Sequence, residues 1–260
     1  MTKARAVRLA AGTGGGIALA SLAIGRRFPL AGAAGLALAS AAAWGAFDRN
    51  SPLFGTVFRH GNRRMARAAL TFDDGPGPST ELVLDALGRG GATATFFVLG
   101  RQVERHPEIV RRIAAEGHQI ANHGYDHGIL VFRSRRHVID QLGRTEAAVE
   151  AALGRPGMTR WFRAPHGFRG PLSARGVRDA GYRMAGWSTG VWDSAEPGSD
   201  TIVDRTTAAL HSGAVILLHD ADGWDPLRRR DQTATALPSV IEGARIRGLQ
   251  LVSLDGLVTP

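Results

Sequence analysis

The chain has 260 residues, 44% of them hydrophobic and 21% charged, which is enough for one full-sized domain with an appendage and too apolar for a disordered chain. It contains no cysteine, so a disulfide framework, a thiolate metal site and a cysteine nucleophile are all excluded. The net charge of +9 rests on arginines scattered as pairs, such as Arg111–Arg112 and Arg135–Arg136, with no interleaved aromatics; no nucleic-acid partner is expected, and anionic lipid suits the charge better.

In chain order, two uncharged stretches come first, 9–25 and 28–47, separated by Arg26 and Arg27. The second is about 20 residues, the length a helix needs to cross a bilayer, and Trp44 and Phe47 suit an interface at its far end. The glycine-rich first stretch is the weaker span. Residues 1–50 are therefore expected to be a membrane anchor of one or two transmembrane helices in contact with lipid, and the protein to sit at the cell membrane. A cleaved signal peptide is the rival reading, and the arginine pair interrupts its apolar region; a buried soluble hairpin is a third. If both stretches span, the basic residues on either side place the following domain on the cytoplasmic face, the arrangement favoured here; if only the second spans, the domain faces outward. Residues 51–67 read as a polar, basic connector.

From residue 68 to 260 short apolar runs alternate with amphipathic ones. Strands are expected at 68–72, 94–99, 159–162, 183–187, 214–218 and 249–254, and helices at 80–87, 108–116, 138–153 and 201–210. Glycines 117, 154, 181, 213 and 248 mark boundaries. Such alternation implies an α/β domain with a parallel sheet, either a barrel or an open doubly wound sheet. Asp73, Asp74, Arg163 and His219 all fall just after strand-like runs, where side chains converge at one end of a parallel sheet.

Four segments carry chemistry. In Thr71-Phe72-Asp73-Asp74-Gly75-Pro76 two adjacent carboxylates sit at a strand tip; neighbouring side chains diverge, so one can bind a metal while the other faces water, although a capped turn would use the same residues. In Asn122-His123-Gly124-Tyr125-Asp126-His127 the histidines are at i and i+4, which on a helical turn places both rings on one face. Two histidines and a carboxylate with open positions suit a catalytic divalent ion, zinc above all. Arg163-Ala164-Pro165-His166 and Leu217-Leu218-His219-Asp220 complete the set.

In this order and spacing the four segments resemble the NodB-type polysaccharide deacetylases, carbohydrate esterase family 4, over about residues 66–260. The resemblance implies a distorted (β/α) barrel of the NodB-homology type with fewer than eight strands, and a hydrolase of carbon–nitrogen bonds that removes an N-acetyl or N-formyl group from a sugar in a polysaccharide or lipid-linked glycan. It also implies Asp73 as general base, Asp74, His123 and His127 as ligands of Zn2+ (or Co2+, Mn2+ or Ni2+), Arg163 as a bidentate partner orienting Asp73, and His219 as general acid. Leu217 would line the pocket, Asp193 would tune His219, the His166 backbone N–H would stabilise an oxyanion, and Trp192 lies near the expected site. The sequence departs from the family pattern at Gly124, where a hydroxyl residue is usual, at His166, where an aromatic is usual, and at Gly190-Val191-Trp192-Asp193, where only one of two aspartates is present. O-deacetylation, or an inactive carbohydrate-binding protein on the same fold, would be compatible with the same residues.

Overall fold

The computed structural model describes residues 29–258 of the chain. Two compact units are present, 1–45 and 46–260. In the first, alanine and leucine favour a helix, α1 (Pro29–Phe47), whose last two residues belong to the second unit. Its Leu36, Leu38 and Trp44 are exposed. Among the described residues no helix is long and apolar enough to cross a membrane, so the expected transmembrane spans gain no support. Nine alanines and three glycines in α1 supply little apolar bulk, and the stretch 9–25 lies outside the described residues.

The second unit holds nine strands in one sheet: β1 (Val57–Phe58), β2 (Arg67–Asp73), β3 (Thr95–Val98), β4 (Gln119–Asn122), β5 (Met158–Phe162), β6 (Arg183–Ala185), β7 (Thr189–Gly190), β8 (Val215–His219) and β9 (Gln250–Leu251). Their order is β1-β6-β5-β4-β3-β2-β8-β7, with β9 also on β2, and every neighbouring pair is parallel. Residues 186–188 alone join β6 to β7, a reach of about 14 Å at most. Laid flat, the six spacings between those strands would cover about 29 Å. The sheet must therefore curl, and three residues of chain bring β6, next to the edge strand β1, round to β7 at the other edge. This is the distorted barrel that the resemblance implied.

The helices follow the expected logic. In α2 (Thr80–Arg89) Thr80, Val83, Leu84 and Leu87 are buried at helical spacing. A short α3 (Gly100–Arg105) leads into α4 (Pro107–Ala115), which starts on a proline at its first turn and buries Ile109, Val110 and Ile113. In α5 (Arg135–Leu153) the Ser134 hydroxyl accepts from the His137 N–H at 3.2 Å, and Gly154, with φ 69°, closes the C-terminus. The remainder are α6 (Pro171–Asp179), α7 (Ser199–Ala209), α8 (Asp231–Ile246) and α9 (Leu254–Val258).

Two apolar layers result from period-two alternation along the strands. Leu70, Phe72, Phe96, Ile120, Ile216 and Leu218 face the helices, whereas Ala69, Phe97, Ala121, Val215 and Leu217 fill the barrel interior. Continuing the inward series reaches Asp73 through Thr71 on β2, and His219 as the next inward position after Leu217 on β8. The connector reading of 51–67 needs correction: β1 pairs with β6, and Gly61 donates to the Gly213 carbonyl at 2.8 Å. Strand β4 was not foreseen, because Gln119-Ile-Ala-Asn is too short and polar at its ends to stand out.

Candidate active site

Strands β2 and β8 run in register with Asp73 opposite His219, so a carboxylate and an imidazole meet at the C-terminal end of the sheet. Arg163 follows β5 and is fully buried. Its Nη1 donates to Asp73 Oδ1 at 2.7 Å and to the Thr71 hydroxyl at 2.8 Å, and its Nη2 donates to the Gly186 carbonyl at 2.8 Å. The expected two-pronged grip on Asp73 is thus a single-nitrogen contact, because the second nitrogen bonds the backbone at the sheet's curl. Phe97 lies under the guanidinium at 4.1 Å and Trp187 at 5.5 Å, so the cation is held between aromatic faces. Burial lowers the Arg163 pKa and the charge of Asp73 opposes that shift.

The other carboxylate turns away from its neighbour. Asp74 adopts a left-handed backbone, φ 77°, an uncommon state for a residue with a side chain. Its Oδ1 lies 3.0 Å from His127 Nε2 and 3.4 Å from His123 Nε2, while its Oδ2 accepts from the Gly223 N–H at 3.0 Å. The helical turn expected for the two histidines is absent. Residues 123–127 form a loop in which Gly124 (φ 85°) and His127 (φ 63°) are both left-handed, and these two reversals carry His127 back beside His123. Asn122 holds the loop at one end by accepting from the Gly124 N–H at 2.8 Å. Gln141 of α5 holds the other, accepting from the N–H groups of Tyr125 and Asp126 at 2.9 and 3.2 Å. Gly124 adopts this left-handed backbone without strain.

These three residues fit a divalent ion. Two ligands about 2.1 Å from a tetrahedral centre stand about 3.4 Å apart, and the Asp74–histidine distances of 3.0 and 3.4 Å match that spacing. The His123 Nδ1 lies 2.9 Å from the Arg163 carbonyl, which can only accept, so Nδ1 donates there and Nε2 is left facing Asp74. Asp74 Oδ1 is buried without a hydrogen-bond partner. A buried carboxylate oxygen facing two imidazole nitrogens is a donor set that a divalent cation would satisfy. Burial alone would raise the Asp74 pKa, but the neighbouring imidazoles of His123 and His127, with the charges of His127 and His219, hold it well below the usual carboxylate range.

Across the cleft, Asp193 uses both oxygens on His219. Oδ1 lies 2.9 Å from Nδ1, and Oδ2 accepts from the His219 N–H at 2.7 Å and from the Thr233 hydroxyl at 2.9 Å. The single aspartate of the 190–193 segment therefore suffices to orient the imidazole, leaving Nε2 for the cleft. Burial would lower the His219 pKa, yet the charges of Asp193, Asp74 and Asp73 push it up to about 9. Next to it, Asp220 is pushed up to about 7 by burial, with the Thr80 hydroxyl donating to it at 2.6 Å.

A cleft of about 580 Å³ collects Asp73, Asp74, His123, His127, His166, Leu217, His219, Asp193 and Trp192, with Arg163 behind its floor. His166 (φ 60°) stacks on Trp224, centroids 5.5 Å apart at 19°, and burial with the charges of His127 and His123 lowers its pKa to about 4, so it serves as a neutral ring. Trp192 and Trp224 are exposed at the rim. The cleft also contains Phe47, Arg49, Asp222 and Arg230. No motif pointed to these, since the first two lie far ahead of the catalytic segments and the last two in an irregular loop; Thr71 was visible only as part of its hexapeptide.

A family model described as polysaccharide deacetylase matches residues 60–185. The chain is 38% identical over 192 residues to a chitooligosaccharide deacetylase of Rhizobium leguminosarum bv. trifolii, covering 71% of this chain and 88% of the relative. This chain belongs to the NodB-type polysaccharide deacetylases. It is 33% identical over 196 residues to a peptidoglycan-N-acetylglucosamine deacetylase of Bacillus cereus, covering 73% of this chain and 87% of that one. Among solved structures, a peptidoglycan N-acetylglucosamine deacetylase in complex with 4-naphthalen-1-yl-N-oxidanyl-benzamide superposes with a TM-score of 0.71 at 29% identity, over 77% of this chain and 91% of the other. As a NodB-type deacetylase, the protein is a hydrolase of carbon–nitrogen bonds.

Proposed function

We propose that this deacetylase is metal-dependent and removes the N-acetyl group of an amino sugar in a polysaccharide or lipid-linked glycan. The observation that carries the reading is the convergence of Asp74, His123 and His127, whose ligating atoms lie within 4.8 Å of one another. A divalent ion on these three, zinc by its preference for nitrogen and oxygen ligands in a four-coordinate site, would supply Lewis acidity and a lowered pKa for water. Asp73, held beside Arg163, accepts the proton of the attacking water. The amide C–N bond then breaks, and His219, protonated and steered by Asp193, donates to the departing nitrogen so that it leaves as an amine rather than an amide anion. The water's oxygen ends in the released acetate. Arg163 acts through Asp73 and Asp193 through His219, so both are positioning residues. The His166 N–H is assigned to the carbonyl oxygen as it becomes negative, and Leu217 and Trp192 to the walls that hold the sugar.

The test is metal analysis of the purified chain together with acetate release from a panel of N-acetyl and O-acetyl sugars, free and lipid-linked. We expect one divalent ion per chain and release from N-acetyl sugars, with both lost in Asp74→Ala. Full metal content in that variant would overturn the ligand assignment. Release from O-acetyl sugars alone would replace the amide reading with an ester one, and metal without release from any substrate would favour a carbohydrate-binding role.

A further inference from the structure

One wall of the cleft comes from residues ahead of the stretch that the family model matches, 60–185. Arg169, buried to 2% exposure, clamps this segment: its guanidinium donates to the carbonyls of Arg49 at 3.0 Å and of Ser51, and its N–H donates to the Ala46 carbonyl at 3.1 Å. Asn50 adds a bond from Nδ2 to the Trp187 carbonyl at 2.9 Å. The backbone being fixed, the Arg49 guanidinium carbon lies 5.4 Å from the centroid of Trp187, at the mouth of the cleft. Phe47, packed edge-on to Phe168 at 5.3 Å, continues the same wall.

The cations of the site differ in what they are already bonded to. Arg163 is held by Asp73, and Arg230 by Asp222 at 2.6 Å and Glu196 at 3.1 Å. Arg49 is exposed and makes no ion pair among the described residues. Hydrolysis of a neutral amide gives such a cation nothing to do, because the charge that develops lies at the Asp74 end of the cleft. A guanidinium on a rigid aromatic shelf is instead suited to a planar, two-pronged grip on a tetrahedral anion.

We infer that Arg49 is a specificity residue that binds a phosphate group on the substrate, attached to the sugar that is deacetylated or to its neighbour. The inference rests on the deacetylase reading above. The phosphate belongs either to a sugar phosphate or to a phosphodiester that links the sugar to a lipid, and the chemistry of recognition is the same for both.

The test compares wild type, Arg49→Ala and Arg49→Lys, as zinc-loaded full chain, on three substrates: neutral N,N′-diacetylchitobiose, N-acetylglucosamine 1-phosphate, and the phosphodiester of that sugar with a short prenol. Wild type should prefer the phosphorylated substrates, and the preference in kcat/KM should fall roughly five- to tenfold in Arg49→Ala, as expected for one partly exposed charge pair. The fall should appear in KM and not in kcat, be partly rescued in Arg49→Lys, and shrink with added salt. Preference for both phosphorylated substrates would assign the phosphate alone; preference confined to the prenol phosphodiester would assign the lipid-linked source. Equal losses on neutral and charged substrates, or no preference in wild type, would overturn the inference. If wild type released acetate from none of the three, the deacetylase reading would fail. Calorimetric titration with N-acetylglucosamine 1-phosphate would still decide on Arg49, weaker binding by Arg49→Ala upholding it and equal binding rejecting it.

Discussion

The two sides of the cleft are built by different means. Asp73 and His219 stand on adjacent strands in register, each two residues beyond a buried side chain, Thr71 and Leu217; Arg163 bonds Asp73, and Asp193, itself held by the Thr233 hydroxyl, bonds His219. Asp74, His123 and His127 stand on loops, two of them with left-handed backbones, and their ligating atoms point at one another. The strand-borne side is complete as folded. The loop-borne side gathers three ligating groups that, on the proposed reading, a cation completes. Substitutions on the first side should therefore change rate and pH dependence while metal stays bound, whereas substitutions supporting the second should change metal affinity first.

The largest expected effect tests that separation directly. Asp73→Asn should retain metal and lose about 10²–10⁴ in kcat, since the proton acceptor is gone; wild-type turnover would remove Asp73 from the mechanism. Its midpoint of thermal unfolding should also fall, because Arg163 stays buried without a carboxylate partner.

Next is Asp193→Asn, expected to cost about 10²-fold in kcat with metal unchanged. His219 must be protonated to donate, so activity is lost as pH rises through its pKa. The charge of Asp193 is the largest influence raising that pKa to about 9, and its removal should move the alkaline limb to lower pH. A cation on Asp74 opposes the same carboxylate charges, so the limb of the metal-loaded enzyme lies below that value in wild type and lower still in the variant. The pair also contributes to stability. Because the folded pKa is raised, that contribution is complete below the unfolded value of about 6.5 and disappears as pH rises through about 9. An unmoved limb in pH–rate profiles would show that Asp193 does not tune His219.

On the loop-borne side, Gln141→Ala should weaken metal binding by about 10- to 100-fold, the usual consequence of releasing a residue that orients a ligand. Competition with a chelator measures this, and unchanged affinity would mean that the 123–127 loop holds its shape without α5. The smallest effect is Gly124→Ser. A Cβ has room there, its nearest neighbour being the Gln141 Oε1 at 3.8 Å, but φ is +85°, so chemical denaturation should show a loss of about 1–2 kcal/mol. A gain in stability would contradict the left-handed loop.

Much of the strand-borne side was legible from the chain alone. The buried run ending at Asp73 and the run ending at His219 announce strands, and the two-residue period already places both side chains inward. The metal ligands were legible as residue types but not as geometry, since a spacing of four suggested a helical turn where a loop with two reversals does the work. Arg49 and Phe47 were not legible as site residues at all. They lie in the stretch 1–50 that reads as a membrane anchor, and it is Arg169, some 120 residues further along, that fastens Arg49 into place.

By itself the sequence determined the parallel α/β architecture, the family and the chemical identity of the reacting groups, because alternation and residue type are local properties. The tertiary structure alone decided how the sheet closes, which nitrogen of Arg163 meets Asp73, and which N-terminal residues wall the cleft. Those outcomes depend on contacts between segments far apart in the chain, and no local pattern records them.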